Sequence, residues 1–350
     1  MSKGIKKYFL IALIAMLVLV FTGCGGGGQQ TEQKKEEAPK EAAPEKIKLI
    51  AAHVLAPTSP YQAGFEKLRD IVKEKTNGQI EIEIHHSASL GEEEQMIESL
   101  QMGTIDISTI SAAPLTAFVK EYMACDLPFT FASPEEAYKF YDGEIGDILL
   151  EKTESLGMIG LGWWENGFRN FTNNVRPIAT PADMKGLKIR TMNSPVHMAS
   201  VKALGADAVP VPFGELYSAL QQGVVDGEEN PVANVHSSRF YEVQKHITLS
   251  RHFYDPSPLF ISKKTMDKLT TEQQKIIKDA AIVARDYMRD FANDQEAGLV
   301  EDLKKNGMTV TVLTPEQIKA FQDATKDVYK QFVDKIGEDF LNKFYKAAGR

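Results

Sequence analysis

Along the chain, apolar and polar positions change period repeatedly. Over Gln79–His86, Ile80, Ile82 and Ile84 alternate with polar residues, the pattern of a half-buried strand. Over Tyr61–Glu74 the period is helical. Phe65, Leu68 and Val72 share one stripe, Ser59-Pro60 starts the helix and Asn77-Gly78 turns the chain after it. Lys46–Val54 reads as the strand before it. Gly91 opens a second helix with Met96, Ile97 and Leu100 inward; it stops at Gly103 and leads into a short strand at Ile105–Ile107. Helices are predicted over Pro134–Tyr141 and Glu144–Leu156, then an apolar strand over Met158–Trp164 and a strand-to-loop edge over Glu165–Asn173.

The stretch Gly186–Pro231 organises the rest. It predicts a strand at 186–190, a helix from Val196 to Leu204, a strand at 208–211, a helix at 215–222 and a short strand leading from Val224 into Gly227–Pro231. This is the unit from which parallel sheets are built, so the fold class is α/β. An internal echo supports two similar lobes: Leu100-Gln101-Met102-Gly103-Thr104-Ile105-Asp106 against Leu220-Gln221-Gln222-Gly223-Val224-Val225-Asp226. Further on, a long helix spans about 271–303, a strand 308–313, and helices from Thr314 finish the chain.

Composition narrows the function classes. Of 350 residues, 43% are hydrophobic, enough for sizeable cores and two domains. A net charge of −8 argues against a nucleic-acid binder. Residues 1–24 read as a signal peptide: Lys3, Lys6 and Lys7 precede an apolar run, Phe9–Phe21, too short to cross a bilayer. The run ends Phe21-Thr22-Gly23-Cys24, similar to a lipobox with Cys24 as the lipidated residue, although Phe21 stands where leucine is usual. Residues 25–45, Gly-rich and then rich in Gln, Glu, Lys and Pro, form a flexible tether. Cys125 reads as a packed thiol. The adjacent His85 and His86 point to opposite strand faces and cannot chelate one ion, so no metal or cofactor is expected.

Arg190 falls at the carboxyl end of its strand, where ligands gather in open α/β sheets, with Ser194 as a candidate cap of the next helix. That combination predicts an anion site with Arg190 as its fork; a surface or salt-bridged arginine is the alternative. Trp163, Trp164, Phe168 and Arg169 at the strand-to-loop edge read either as a stacking and charge surface or as a core plug with a polar rim.

Together Gly186–Arg190, Ala203–Ala206, Pro212–Tyr217, Leu220–Pro231, Leu100–Asp106 and Phe240–Lys245 resemble the extracytoplasmic solute receptors of TRAP transporters, over about residues 46–345. The resemblance implies a two-lobe, periplasmic-binding-protein-like (Venus flytrap) fold with a hinge. Lobe I takes 46–166 plus about 255–295, and lobe II takes 167–254 plus about 296–350. It implies a monomeric receptor, not an enzyme, that closes on a small organic acid and delivers it to an ion-gradient-driven TRAP membrane permease. Membrane contact is through the lipid anchor only, and the location is extracytoplasmic. Arg190 would pair with the ligand carboxylate, with Asn193 a polar contact, Phe213 an aromatic wall, Asn230 a carboxylate or hydroxyl contact, and Arg169 a second basic position. Trp164 and Phe168 could cap an aromatic acid, and His53 and Ser111 would serve from the first lobe. A C4-dicarboxylate is favoured, with sugar acids and aromatic or keto acids as alternatives. A cell-envelope enzyme acting on carboxylated sugars, or a ligand-sensing receptor, is the rival reading.

Overall fold

The computed structural model describes residues 46–350; the leader, Cys24 and the tether lie outside the described residues. Among the described residues, nine strands form one mixed sheet: β1 (Ile47–Ala52), β2 (Ile80–His85), β3 (Ile107–Thr109), β4 (Met158–Asn173), β5 (Lys188–Thr191), β6 (Asp207–Pro210), β7 (Gly227–Pro231), β8 (His246–Ser262) and β9 (Thr309–Val312). The order is β2-β1-β3-β8-β4-β7-β5-β6, with β9 paired to β8.

The two outer thirds of this sheet repeat each other. β1 pairs in parallel with β2 and β3, and β5 pairs in parallel with β6 and β7. The sequence echo is the joint between helix and third strand in each half. Gly103 and Gly223 cap their helices at φ 74° and 70°, the left-handed region that favours glycine. Asp106 then accepts the Ile50 N–H at 2.7 Å, as Asp226 accepts that of Lys188 at 2.8 Å. Each aspartate ties the joint to the first strand of its lobe.

Between the halves run the two long strands, β4 of 16 residues and β8 of 17. Their antiparallel ribbon reaches from β3 at one end to β7 and β9 at the other, so it connects the lobes. Its register shifts in three places, and Gly162 and Gly167 sit at two of them with φ +135° and +113°. Such bulges kink a ribbon where it must bend.

The predicted helix stripe is buried as expected. Phe65, Leu68 and Val72 of helix Pro60–Lys75 pack with Trp164 and with Ile277, Ala280, Ala284 and Met288 of the long helix Thr271–Lys305. Each such side chain contributes roughly 1.5–3 kcal/mol on burial. The far end of the long helix, through Leu299, Val300 and Leu303, packs in a core with Leu216, Leu220, Val235, Ile247 and Met308. The last helix, Glu338–Ala347, sends Leu341 and Phe344 into the first-lobe core beside Phe140, although the sequence grouped 296–350 with the second lobe.

One expectation fails outright: Glu165–Asn173 is not a loop edge but the second half of β4. Its polar residues hid the strand because they are buried against one another and against β7 and β8. Thr172 donates to Glu228 at 2.8 Å, and Asn166 to Asp255 at 2.9 Å. No helix among the described residues is long and apolar enough to cross a membrane.

Candidate functional site

β5 carries Arg190 one residue before its end, and the chain then turns into helix Pro195–Ala203. Ser194 caps that helix as expected, accepting from the N–H groups of Val196 and His197. It also donates to Asp126 at 2.5 Å, which His197 faces at 3.4 Å. The backbone just beyond Arg190 is thereby fixed by a buried contact to the first-lobe loop.

Arg190 is 2% exposed. Its Nε donates to the Val211 carbonyl at 2.8 Å, while Nη1 has no hydrogen-bond partner among the described residues. Burial and the neighbouring charge of Arg169 push the guanidinium down to about 10, so it remains cationic at neutral pH. A buried cation with an unused donor is costly unless something else meets it.

Arg190 lines a cavity of about 270 Å³ between the lobes. From the second lobe come Arg190, Met192, Asn193 and the turn from Pro210 through Phe213. From the first come Glu92, Glu93, Glu94 and Pro114. Three larger hollows lie elsewhere, two of about 740 and 580 Å³ beside the C-terminal segment and one of about 410 Å³ beside helix Pro60–Lys75, and none is lined by a buried charged group lacking a partner among the described residues. The smaller cavity is therefore the candidate site.

The lobes touch across this cavity. Glu92, the cap of helix Glu93–Met102, accepts the Gly214 N–H at 3.0 Å, and Asn193 donates to Glu94 at 3.5 Å. A Cβ on Gly214 would run into the Glu92 carboxylate, the far end of a flexible side chain. Gly214→Ala is therefore expected to swing Glu92 away, speed ligand release and weaken affinity by about tenfold, the worth of one charge-assisted bond. Stopped-flow dissociation rates check this, and an unchanged rate would remove the bridge from any role in closure.

Glu93 is the residue that sequence reasoning missed. It is 7% exposed, accepts the Ser111 N–H at 2.7 Å, and burial pushes its carboxyl up to about 7. Taken alone, the run Glu92-Glu93-Glu94 is an ordinary acidic helix start. Only the facing of the lobes brings it opposite Arg190.

Three of the predicted residues, Arg190, Asn193 and Phe213, meet in this cavity; the others do not line it. Arg169 is 0% exposed and its fork is filled: Nε donates to Glu229 at 2.5 Å, Nη1 to Asp255 at 2.9 Å and Nη2 to Glu229 at 2.9 Å. Burial opposes its charge, but the two carboxylates hold the guanidinium above its ordinary range. Glu229, which takes the bidentate contact, is held well below the carboxylate range despite burial. Asp255, with a single contact to Arg169, is pushed up by burial to about 6. Asn230 is buried, donating to Glu228 and accepting from Asn234 at 3.3 Å. Trp164 and Phe168 are core residues; the Arg251 guanidinium lies 3.9 Å over the Phe168 ring. His53 is stacked on Phe65 and bonded to Gln62 at 3.0 Å, and burial lowers it to about 4. Ser111 supports Glu93 from behind. Cys125 is free and buried, and burial raises its thiol well above the ordinary range.

The family profile described as bacterial extracellular solute-binding protein, family 7, matches residues 51–336. The 2,3-diketo-L-gulonate-binding periplasmic protein YiaO of Escherichia coli K12 is 36% identical over 279 residues, covering 79% of this chain and 84% of that protein. Among solved structures, the sugar acid binding protein DctPAm of Advenella mimigardefordensis, in complex with galactonate, superposes with a TM-score of 0.85 at 32% identity, over 87% of this chain and 98% of that one. A TRAP periplasmic solute binding protein of Sulfurospirillum deleyianum with bound succinate gives 0.82 at 34% identity, over 86% and 98%.

Proposed function

The chain belongs to the bacterial extracellular solute-binding proteins of family 7, and from that membership we propose that it captures a small organic acid between its lobes and hands it to a TRAP-type membrane permease. The observation that carries the ligand class is Arg190, a buried guanidinium with an unused donor lining the cavity between the lobes. A carboxylate matches such a fork. Asn193 and Phe213 then serve as polar contact and aromatic wall. Closure of the lobes excludes water and strengthens the ion pair. The similar proteins named above bind a diketo acid, a sugar acid and succinate, so a small carboxylate is the shared chemistry.

A thermal-shift panel of organic acids tests this, because a ligand that binds only the folded form raises its stability by mass action. An absence of any acid-specific shift would overturn it.

Binding is also expected to take up a proton near neutrality. The groups around Glu93 are Glu92 and Glu94 on its own helix, Arg190 on β5, Asp255 on β8 and Tyr61 on helix Pro60–Lys75. Burial already raises Glu93 to about 7, and a bound anion raises it further. The complex therefore holds more protons than the free receptor around pH 7, and affinity weakens as pH rises through that range. Calorimetry in buffers of different ionisation heat measures the uptake; a value of zero would remove Glu93 from the coupling.

We further infer that Cys24 carries lipid and tethers the receptor at the outer face of the cytoplasmic membrane, because a glycine run follows the lipobox-like Phe21–Cys24 directly. Cys24→Ser should release the protein from membranes, and retention of that variant would count against the anchor.

A further inference from the structure

The ligand's carboxylate accounts for the second-lobe wall of the cavity, which carries Arg190, and the first-lobe wall has a different character. Of the residues lining the cavity, Arg190 is the only cation, while the facing wall presents Glu92, Glu93 and Glu94. Glu92 is engaged by the Gly214 N–H and Glu94 by Asn193. Glu93 is held at Oε1 by the Ser111 N–H and, with about four lone-pair sites on a carboxylate, retains acceptor capacity. The rest of the lining is mostly apolar: Pro114, Met192, Pro210, Val211, Pro212 and Phe213. The volume of about 270 Å³ lies just below the usual range of small-molecule pockets, roughly 300–1,000 Å³.

Resting on the receptor reading above, we propose that Glu93 sets the specificity of this site: it meets a hydroxyl of the acid held by Arg190, so the receptor selects hydroxylated monocarboxylates over dicarboxylates of the same length. A second carboxylate against the first-lobe wall would find no further cation among the lining residues. It would face a buried carboxyl and two neighbours of like charge, which disfavours placing another anion there. A hydroxyl suits either form of Glu93, donating to the ionised carboxylate and accepting from the protonated acid. The burial that lifts the Glu93 carboxyl toward neutrality keeps both forms accessible near pH 7. The short chain of carbons between the two polar groups lies against the apolar lining.

The test is calorimetry on the purified protein with length-matched pairs at pH 8, above the value of about 7 to which burial lifts Glu93. Succinate is paired with erythronate, and the five- and six-carbon dicarboxylates with the corresponding aldonates. The expected result is that in the best-bound pair the hydroxylated acid binds at least tenfold tighter. Glu93→Gln, isosteric and uncharged, should bring the ratio to within about threefold, chiefly by improving the dicarboxylate. A dicarboxylate that binds wild type as tightly as its hydroxylated partner overturns the inference, and so does a ratio unmoved by Glu93→Gln. The wild-type ratio stands as a test even if the variant folds poorly. Failure of the receptor reading is distinguishable: no acid in the panel would bind, or Arg190→Met would bind them as wild type does.

Discussion

Arg190→Met is expected to weaken acid binding at least a hundredfold while leaving the empty protein's melting temperature equal to or above that of wild type. The first half follows from the strength of the contact. A guanidinium gives a carboxylate two charge-assisted bonds of about 1.5–3 kcal/mol each, and about 2.7 kcal/mol is already a hundredfold. The second half follows from the cost of the empty site. Arg190 is buried with a nitrogen that nothing in the described chain accepts, and burial together with Arg169 disfavours its charge. Methionine keeps most of the volume and removes that charge. Its one liability is the Val211 carbonyl, which loses the Nε–H donor. Calorimetry for affinity and thermal unfolding without ligand read the two halves separately. A variant that loses binding only because it has lost several degrees of stability would mean that Arg190 supports the fold and is not the capture group. A variant within threefold of wild-type affinity would remove it from the site.

Why Arg190 could be found from sequence, while half of its surroundings could not, has a physical reason. Strand, helix and strand from Gly186 to Pro231 are set by local periodicity and by glycine stops, and those signals survive in the structure to within a few residues. Arg190 comes with them, because a charged residue at the end of an apolar strand is visible in one dimension. The same reasoning placed helix Pro60–Lys75 and its stripe correctly. Periodicity reports on surfaces with one wet face and one dry face. It is silent where a strand is polar and buried on both sides, and that describes the second half of β4, all of β7 and the middle of β8. Glu228, Glu229 and Asn230 carry no apolar period, yet all three are buried. Glu93 was hidden for a related reason: its importance comes from a residue almost a hundred positions away, on the other lobe. Arg169 was visible, but its partners were not. Glu229 lies 60 positions further on and Asp255 86. A resemblance to a receptor family cannot say whether an arginine meets the ligand or a carboxylate of its own chain.

That distinction gives the largest expected stability effect in the molecule. Arg169→Met should destabilise the protein by about 3–5 kcal/mol, because breaking a buried ion pair from one side leaves an uncompensated charge. The charge left behind is Glu229, 0% exposed and now without the partner that holds its carboxyl low. Asp255 suffers less, since burial already keeps it near about 6 and it retains the bond from Asn166. The pH dependence follows the same logic. Glu229 is depressed in the folded state, so its contribution is present above the ordinary carboxylate range and lost as pH falls through its folded value. In the Arg169 variant Glu229 is instead raised, and stability should improve as pH is lowered from 8 toward 5, within the limits set by the histidines. Glu229→Gln in the same chain should recover at least 1 kcal/mol relative to the sum of the single changes, the coupling expected of direct partners. Equilibrium denaturation of wild type, both single variants and the double variant measures this cycle. The strands involved are β4, β7 and β8, the ribbon and its neighbour between the lobes, so the ion pair holds the hinge region rather than the ligand. Acid affinity measured in the cold, where Arg169→Met remains folded, should fall by less than in Arg190→Met. A full loss of binding with an unchanged unfolding curve would give Arg169 back its place beside the ligand.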